Sequence, residues 1–211
     1  MTATVRDLIV LAADKNFDYG LRGLLSRPSA LGTHVIDAQI LVHPRRDPGC
    51  LREAHDFLRP FHRDFRRALV VFDREGSGRE ERSADALEDE VRARLAGTGW
   101  GDRADVIVPD PELEVWVFAD SPHVERCLKW PPSRGTIRYW LERQNRWREG
   151  RTKPDAPKDA LERALREIRR PRSSALYERL GRRVSLRRCE DRAFNKLLTT
   201  LAAWFPDGAP G

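Results

Sequence analysis

Residues 69–78 spell LVVFDREGSG, and this stretch decides the fold that the sequence predicts. Four apolar residues lead into two carboxylates, Asp73 and Glu75, and a Gly-Ser-Gly turn follows. A short apolar run is typical of a strand buried inside a parallel sheet. Sites in open α/β sheets form at the carboxyl ends of the strands. The two acids can therefore hold a hard cation such as Mg²⁺, although a solvated acidic turn has the same pattern.

Two further apolar runs also end in acids. Residues 8–13, LIVLAA, lead directly into Asp14, and residues 104–108, ADVIV, lead into PDPELEVW at 109–116 with Glu112 and Glu114. The carboxyl ends of neighbouring parallel strands lie at one edge of a sheet, so Asp14 is expected to face the Asp73 and Glu75 pair. Acids that follow strands also serve as helix N-caps, and each of these residues has that alternative.

The order of the predicted elements indicates an α/β fold. Strands predicted at 7–13, 34–42, 69–72 and 106–108 alternate with helices predicted at 18–25, 49–65 and 83–95, which favours a parallel sheet covered by helices. Further helices are predicted at 122–128, 136–147, 157–168, 173–180 and 191–204. We therefore expect an α/β core at residues 1–120, a helical part packed on it at 121–205, and a flexible tail at 206–211.

Composition limits the cellular setting of the chain. A chain of 211 residues can bury an adequate core without disulfides. Its three cysteines, Cys50, Cys127 and Cys189, are far apart and match no metal-ligand spacing, which favours a reducing compartment. The sequence shows neither a signal-peptide pattern nor an apolar run of membrane-spanning length. We expect a cytoplasmic protein with no membrane contact.

The chain carries an excess of basic residues near its end. Lys and Arg total 39 against 33 Asp and Glu, for a net charge of +6. Eleven of the arginines lie between residues 163 and 192. Such a basic segment can contact nucleic acid. It can equally consist of solvated arginines paired with Glu one helical turn away.

Four phrases of the sequence resemble a known family: ADKN at 13–16, LRGLL at 21–25, HPRRDPGC at 43–50 and PELEVW at 111–116. Together with the acids after the strands, they resemble the Toprim fold, and more closely a small Toprim-like family of bacterial methylation-associated antiphage defence systems. The chain departs from the Toprim pattern twice. Asp14 stands where Glu is usual, and Glu75 stands where the second Asp is usual.

The resemblance implies Mg²⁺-dependent (or Mn²⁺-dependent) phosphodiester chemistry on nucleic acid. Asp14, Asp73 and Glu75 would be the metal ligands, and Glu112 (or Glu114) a further ligand or a proton acceptor. Phosphate contacts are expected from Arg45, Arg46, Lys153 and Lys158. His43, which follows a predicted strand, is either a base or phosphate contact or a loop histidine.

The alternative function is a non-catalytic interaction or sensor subunit that docks onto other proteins of the same defence system. In that case the acids that follow the strands are structural caps.

Overall fold

The computed structural model describes residues 5–208. Its sheet has four parallel strands in the order β2-β1-β3-β4. They are β1 (Arg6–Ala12), β2 (Ala38–Val42), β3 (Phe65–Val71) and β4 (Ala104–Ile107). In the register of the sheet, Val10 of β1 pairs with Ile40 on one side and Leu69 on the other. The predicted α/β fold is confirmed, and this architecture is consistent with a Toprim-like sheet.

Helices cover the sheet and form most of the second half of the described chain. They are α1 (Lys15–Leu25), α2 (Pro28–Leu31), α3 (Arg46–Leu58), α4 (Ala84–Leu95), α5 (Pro122–Leu128), α6 (Ile137–Arg143), α7 (Pro157–Glu167), α8 (Ser174–Arg183) and α9 (Arg192–Trp204). A 3₁₀ turn at Leu113–Trp116 connects the sheet to this second half, and residues 112–118 around it are called the acidic turn below. None of the helices within residues 5–208 has the length and apolarity needed to cross a membrane.

The predicted boundaries were wrong in the segment between β2 and β3. The helix predicted at 49–65 begins earlier, at Arg46, and ends at Leu58. Pro60, which has no N–H to continue the helix, lies in a 3₁₀ turn at Arg59–Phe61. Phe65, predicted to be helical, is the first residue of β3 and pairs with Arg6 of β1. The prediction was too long because apolar residues keep their helical spacing beyond Leu58, whereas Pro60 ends the helix there.

The C-terminal helices share one hydrophobic core with the sheet. Helix α8 lies directly against α1, at a contact made by glycines from both helices. A Cβ atom added to Gly23 would lie 2.3 Å from the Glu178 carbonyl oxygen, and one added to Gly181 would lie 2.3 Å from that of Gly20. The two backbones approach this closely because no side chain stands between them.

A buried ionic network attaches α9 to α4 and β4. Glu88 of α4 is fully buried, and its carboxylate accepts hydrogen bonds from Arg192 (3.0 Å), Lys196 (2.9 Å) and the Val108 N–H (2.9 Å). Lys196 also lies 3.1 Å from Asp105 of β4. Charges this deep are tolerated because each has an opposite charge beside it.

The first residues after α9 are hydrogen-bonded to the loop that follows α2. Pro206 forms a bridge with Thr33, and the Asp207 N–H donates to the Gly32 carbonyl at 3.1 Å. Of the tail predicted at 206–211, residues 209–211 lie outside the described part of the chain.

Candidate functional site

The acids predicted from the sequence lie at the carboxyl edge of the sheet. Asp14 follows β1, Asp73 follows β3, and the acidic turn follows β4. β1 and β3 are neighbours at the centre of the sheet, and the chain leaves β1 toward β2 on one side before it returns to β3 on the other. In open α/β sheets, ligands bind at the strand ends where the chain changes direction in this way.

Asp73 connects two other segments of this edge. Its Oδ1 accepts a hydrogen bond from the Leu113 N–H at 2.7 Å, and its own N–H donates to Asp47 Oδ1 at 2.8 Å. Burial, followed by the negative charges of Asp47 and Glu114, raises the pKa of Asp73 well above its usual value. Carboxylates of three segments are therefore close enough to repel one another.

Asp47, in the first turn of α3, was not predicted as a site residue. Burial is the main cause that raises its pKa, and the charge of Asp14 adds to the effect. Asp47 lies within the HPRRDPGC phrase, but the sequence does not show that α3 begins at the same edge as the strand ends. The strand-end rule selects only residues that directly follow strands, so it missed this acid.

Glu112 and Glu114 are both buried, and residues of the helical part hold them. Glu112 Oε1 accepts a hydrogen bond from the backbone N–H of Lys158 at 2.8 Å, and its Oε2 lies 3.8 Å from the Lys158 ammonium. Glu114 Oε1 accepts from Arg172 at 2.7 Å and from the hydroxyl of Tyr177. Burial and the charge of Glu114 raise the pKa of Tyr177, which keeps that hydroxyl a proton donor.

Asp14 caps a helix, and Glu75 is exposed to solvent. Asp14 is the N-cap of α1, and its Oδ1 accepts from the N–H groups of Asn16 (2.8 Å) and Phe17 (3.0 Å). This is the capping arrangement that the sequence left open. Glu75 is exposed, and its carboxylate makes no hydrogen bond or ion pair within residues 5–208. Its charge does act on Glu112, whose pKa is raised chiefly by burial.

The donor chemistry of this edge fits a hard cation, but the side chains do not converge on one point. Asp73 Oδ2 and Glu114 Oε2 accept no hydrogen bond from any described residue. Carboxylate oxygens are the ligands that Mg²⁺ prefers. Within residues 5–208, however, no three His, Cys, Asp or Glu side chains are placed to hold a metal together.

The four predicted phosphate-binding residues differ in their exposure. Arg45 is exposed and pairs with Glu53 at 2.5 Å. Arg46 is also exposed and pairs with no carboxylate of the described chain. Lys153 is half-buried, and its ammonium donates to the carbonyls of Val115 and Phe118, both at 2.9 Å.

Burial lowers the pKa of Lys153. Like Lys158, this lysine holds the acidic turn in place.

His43 has a structural environment. It is buried, its Nδ1 accepts a hydrogen bond from the Arg45 N–H at 3.1 Å, and its ring packs against Phe57. Burial lowers its pKa, so the neutral form is favoured. A Cβ on Gly49 would lie 2.0 Å from His43 Nδ1, so α3 can pass only because residue 49 is glycine. This environment agrees with the loop-histidine alternative.

A crevice that opens beside the acidic turn has arginines at its rim. Its lining includes Lys153, Asp120, Arg187 and Arg188. Both arginines are exposed and have no carboxylate within 4.0 Å in the described chain. Arg182, by contrast, makes two hydrogen bonds to Glu178 one helical turn away. The basic segment predicted from the sequence thus contains both paired and unpaired arginines.

Comparisons of the chain with protein-family models, with curated proteins and with solved structures find no match.

Proposed function

We propose that this protein is a metal-dependent, Toprim-like phosphodiesterase that acts on nucleic acid in the cytoplasm, as a component of a prokaryotic antiphage defence system. One observation carries the proposal. The Asp73 N–H donates to Asp47, and the Asp73 carboxylate accepts from Leu113 of the acidic turn, so that carboxylates from separate segments meet at the carboxyl edge of the sheet. The antiphage setting is supported by the sequence resemblance alone.

In the proposed site, Asp14, Asp73 and Glu75 would hold Mg²⁺ or Mn²⁺, with Asp47 beside them. Glu112 or Glu114 is a further ligand or accepts a proton. The metal ion would supply polarisation of a phosphate oxygen and activation of water. Without a cation this edge repels a phosphate, because its nearest groups are anionic.

The chain's own cations have two separate tasks in this proposal. Lys153, Lys158 and Arg172 hold the acidic turn, since each contacts a carbonyl or a carboxylate of residues 112–118. Arg187 and Arg188, which pair with no described carboxylate, are free to bind the phosphate backbone beside the turn. Arg45 and Arg46, at the start of α3 beside Asp47 in the sequence, would also bind phosphate.

A second candidate is the non-catalytic subunit that docks onto other proteins of the same system. The capping role of Asp14 favours it, because both Asp14 oxygens accept hydrogen bonds within the first turn of α1. In this case the acidic turn is a structural joint between the sheet and the helical part.

Titration calorimetry with Mn²⁺ separates the two candidates. We expect Mn²⁺ to bind the unmodified protein and to bind Asp73→Asn at least about tenfold more weakly. Losing a group that merely supports a metal ligand already costs about this much affinity, and Asp73 is proposed as a ligand itself. Asp110→Asn is the matched control, because Asp110 lies on the same edge but pairs with Arg74. Equal affinity in the unmodified protein and Asp73→Asn would remove this metal site.

Cleavage of single-stranded and double-stranded DNA and RNA is then measured at low salt with Mg²⁺ or Mn²⁺. Asp73→Asn should abolish cleavage and spare binding, whereas Arg187→Glu with Arg188→Glu should weaken binding to all sequences. The double variant should also reduce the slope of log affinity against log salt by about one to two. Arg182→Glu, at a paired arginine, is the control. An unmodified protein that neither binds nor cuts any substrate would favour the docking subunit.

A further inference from the structure

A second charged groove lies at the opposite, amino-terminal edge of the sheet. It has a volume of about 700 Å³, within the range of small-molecule sites. The starts of β1 and β3, the end of α9 and the loop before β2 enclose it, and its lining includes Asp7, Phe65 and Trp204. β3 is seven residues long, so about 20 Å separates this groove from the carboxyl edge. The groove is therefore independent of the proposed site.

Arginines give this groove its charge. Arg63, Arg66, Arg67 and Arg103 line it, against the carboxylates of Asp7 and Asp102. Within residues 5–208, only Arg66 among the four has a carboxylate within 4.0 Å, namely Asp7 at 3.8 Å. Asp7 is shared, because it also accepts a hydrogen bond from the Asp37 N–H and lies 3.7 Å from His34. The groove thus carries positive charge that the described chain does not neutralise.

Two of the four guanidinium groups lie over tryptophan rings. Arg67 lies over the Trp204 ring, 5.3 Å from its centroid, and its side chain makes no hydrogen bond within the described residues. Arg103 lies over the Trp100 ring and donates to four carbonyls, among them those of His62 at 3.0 Å and Phe65 at 3.0 Å. Arg103 thereby fixes the backbone that carries Arg63 and Arg66. The terminal nitrogens of Arg103 are already engaged by these carbonyls, so Arg63, Arg66 and Arg67 are the guanidinium groups left to bind an anion.

We propose that this groove binds a compact polyphosphate, of the kind carried by a nucleoside triphosphate. Guanidinium groups bind phosphate oxygens through paired N–H donors, and closely spaced phosphates match several arginines converging on one groove. A long nucleic-acid strand fits the groove less well. Asp64 and Asp102 are exposed beside these arginines and would repel a phosphate backbone that continues past them.

Calorimetric titration with ATP and with inorganic tripolyphosphate tests the proposal. The buffer contains EDTA, so the carboxyl edge holds no divalent cation and the result does not depend on the proposed nuclease. We expect both ligands to bind and AMP to bind at least about tenfold more weakly, because it lacks the charge-assisted hydrogen bonds of the outer phosphates. Equal affinities for ATP and tripolyphosphate would assign recognition to the phosphates alone. Tighter binding of ATP would add the nucleoside to the ligand.

The decisive variant is Arg63→Gln with Arg67→Gln. Both residues lie at or near the surface and make no ion pair with a described residue, so the variant should fold, which circular dichroism verifies. We expect its affinity for ATP to fall by at least about tenfold. The control, Arg22→Gln with Arg182→Gln, removes the same charge from arginines paired with carboxylates on their own helices. Its affinity should stay within about twofold.

Three results would overturn the proposal. One is the absence of binding by ATP and tripolyphosphate. Another is binding that the decisive variant leaves unchanged. The third is an oligonucleotide that binds more tightly than ATP and loses its affinity in the decisive variant, which would assign the groove to a nucleic-acid strand.

Discussion

Replacing Glu88 by Gln tests whether the ionic network attaches α9 to the sheet. Glu88 is 2% exposed and accepts hydrogen bonds from Arg192, Lys196 and the Val108 N–H. A Gln side chain has nearly the same shape, and its oxygen can still accept from Val108. It has no charge, however, and its NH₂ group would face cationic donors. The substitution therefore removes the electrostatic part of the network and leaves the packing in place.

The size of the effect follows from the exposure of the partners. Removing one partner of a buried ion pair costs about 3–5 kcal/mol. Here the side chains of Arg192 and Lys196 are 42% and 22% exposed, and each keeps a second carboxylate, Asp85 at 2.7 Å and Asp105 at 3.1 Å. Solvent screening and these remaining partners reduce the expected loss to about 2–3 kcal/mol. For a chain of this length that corresponds to a fall in Tm of roughly 5–10 °C.

Urea unfolding followed by circular dichroism measures this loss as a free energy of unfolding. Asp85→Asn is the control, because Asp85 pairs with the same arginine but is 71% exposed, so about 0–1 kcal/mol is expected. If Glu88→Gln unfolds within about 0.5 kcal/mol of the unmodified protein, the network does not hold α9 and the reasoning is refuted.

Three further substitutions test other contacts of the fold. Burial raises the pKa of Asp105, but the ammonium and N–H groups around the carboxylate outweigh burial and hold this pKa below its usual value. The stability that Asp105 contributes is therefore present above about pH 4 and is lost as the pH falls through the pKa of the folded state. Asp105→Asn should therefore cost about 1 kcal/mol at pH 7 and less in acid, and parallel pH profiles of the free energy of unfolding would contradict this. Gly49→Ala should destabilise the protein by about 1–3 kcal/mol in urea unfolding, because its Cβ atom would lie 2.0 Å from His43 Nδ1. An unchanged urea midpoint of unfolding would show that α3 can shift at no cost in stability. Lys153→Met should cost about 1–3 kcal/mol, because it leaves the carbonyls of Val115 and Phe118 without a donor. Lys129→Met, at an exposed position, should stay within about 0.5 kcal/mol, and equal losses in thermal unfolding would show that Lys153 does not hold the acidic turn.

The sequence predicted the sheet well because most of β1 and the second half of β3, at its centre, are fully buried. Continuous apolar runs such as residues 8–13 and 69–72 are typical of strands inside a parallel sheet. The acids that follow these runs, Asp14 and Asp73, mark where the strands end. The ends of elements were predicted less well. The first predicted helix began at residue 18, but Asp14 caps α1 so that it begins at Lys15.

The candidate site was predicted only in part, because its decisive contacts are long-range. The hydrogen bond between Asp73 and Asp47 joins residues 26 apart, and that between Glu114 and Arg172 joins residues 58 apart. No local pattern records such a pairing. Lys153 and Lys158 were predicted to bind phosphate, and no local pattern indicates that both contact the acidic turn instead.

The contacts of the acidic turn also have an order in time. Its three cations, Lys153, Lys158 and Arg172, follow the groups they bind by 35 to 58 residues. At a synthesis rate of 5–20 residues per second, a nascent chain carries an unsupported acidic turn for roughly 3–12 s before Arg172 has been added. The cations that hold the carboxyl edge are therefore incomplete until Arg172 has been added, so most of the chain is synthesised before the acidic turn has all of its partners.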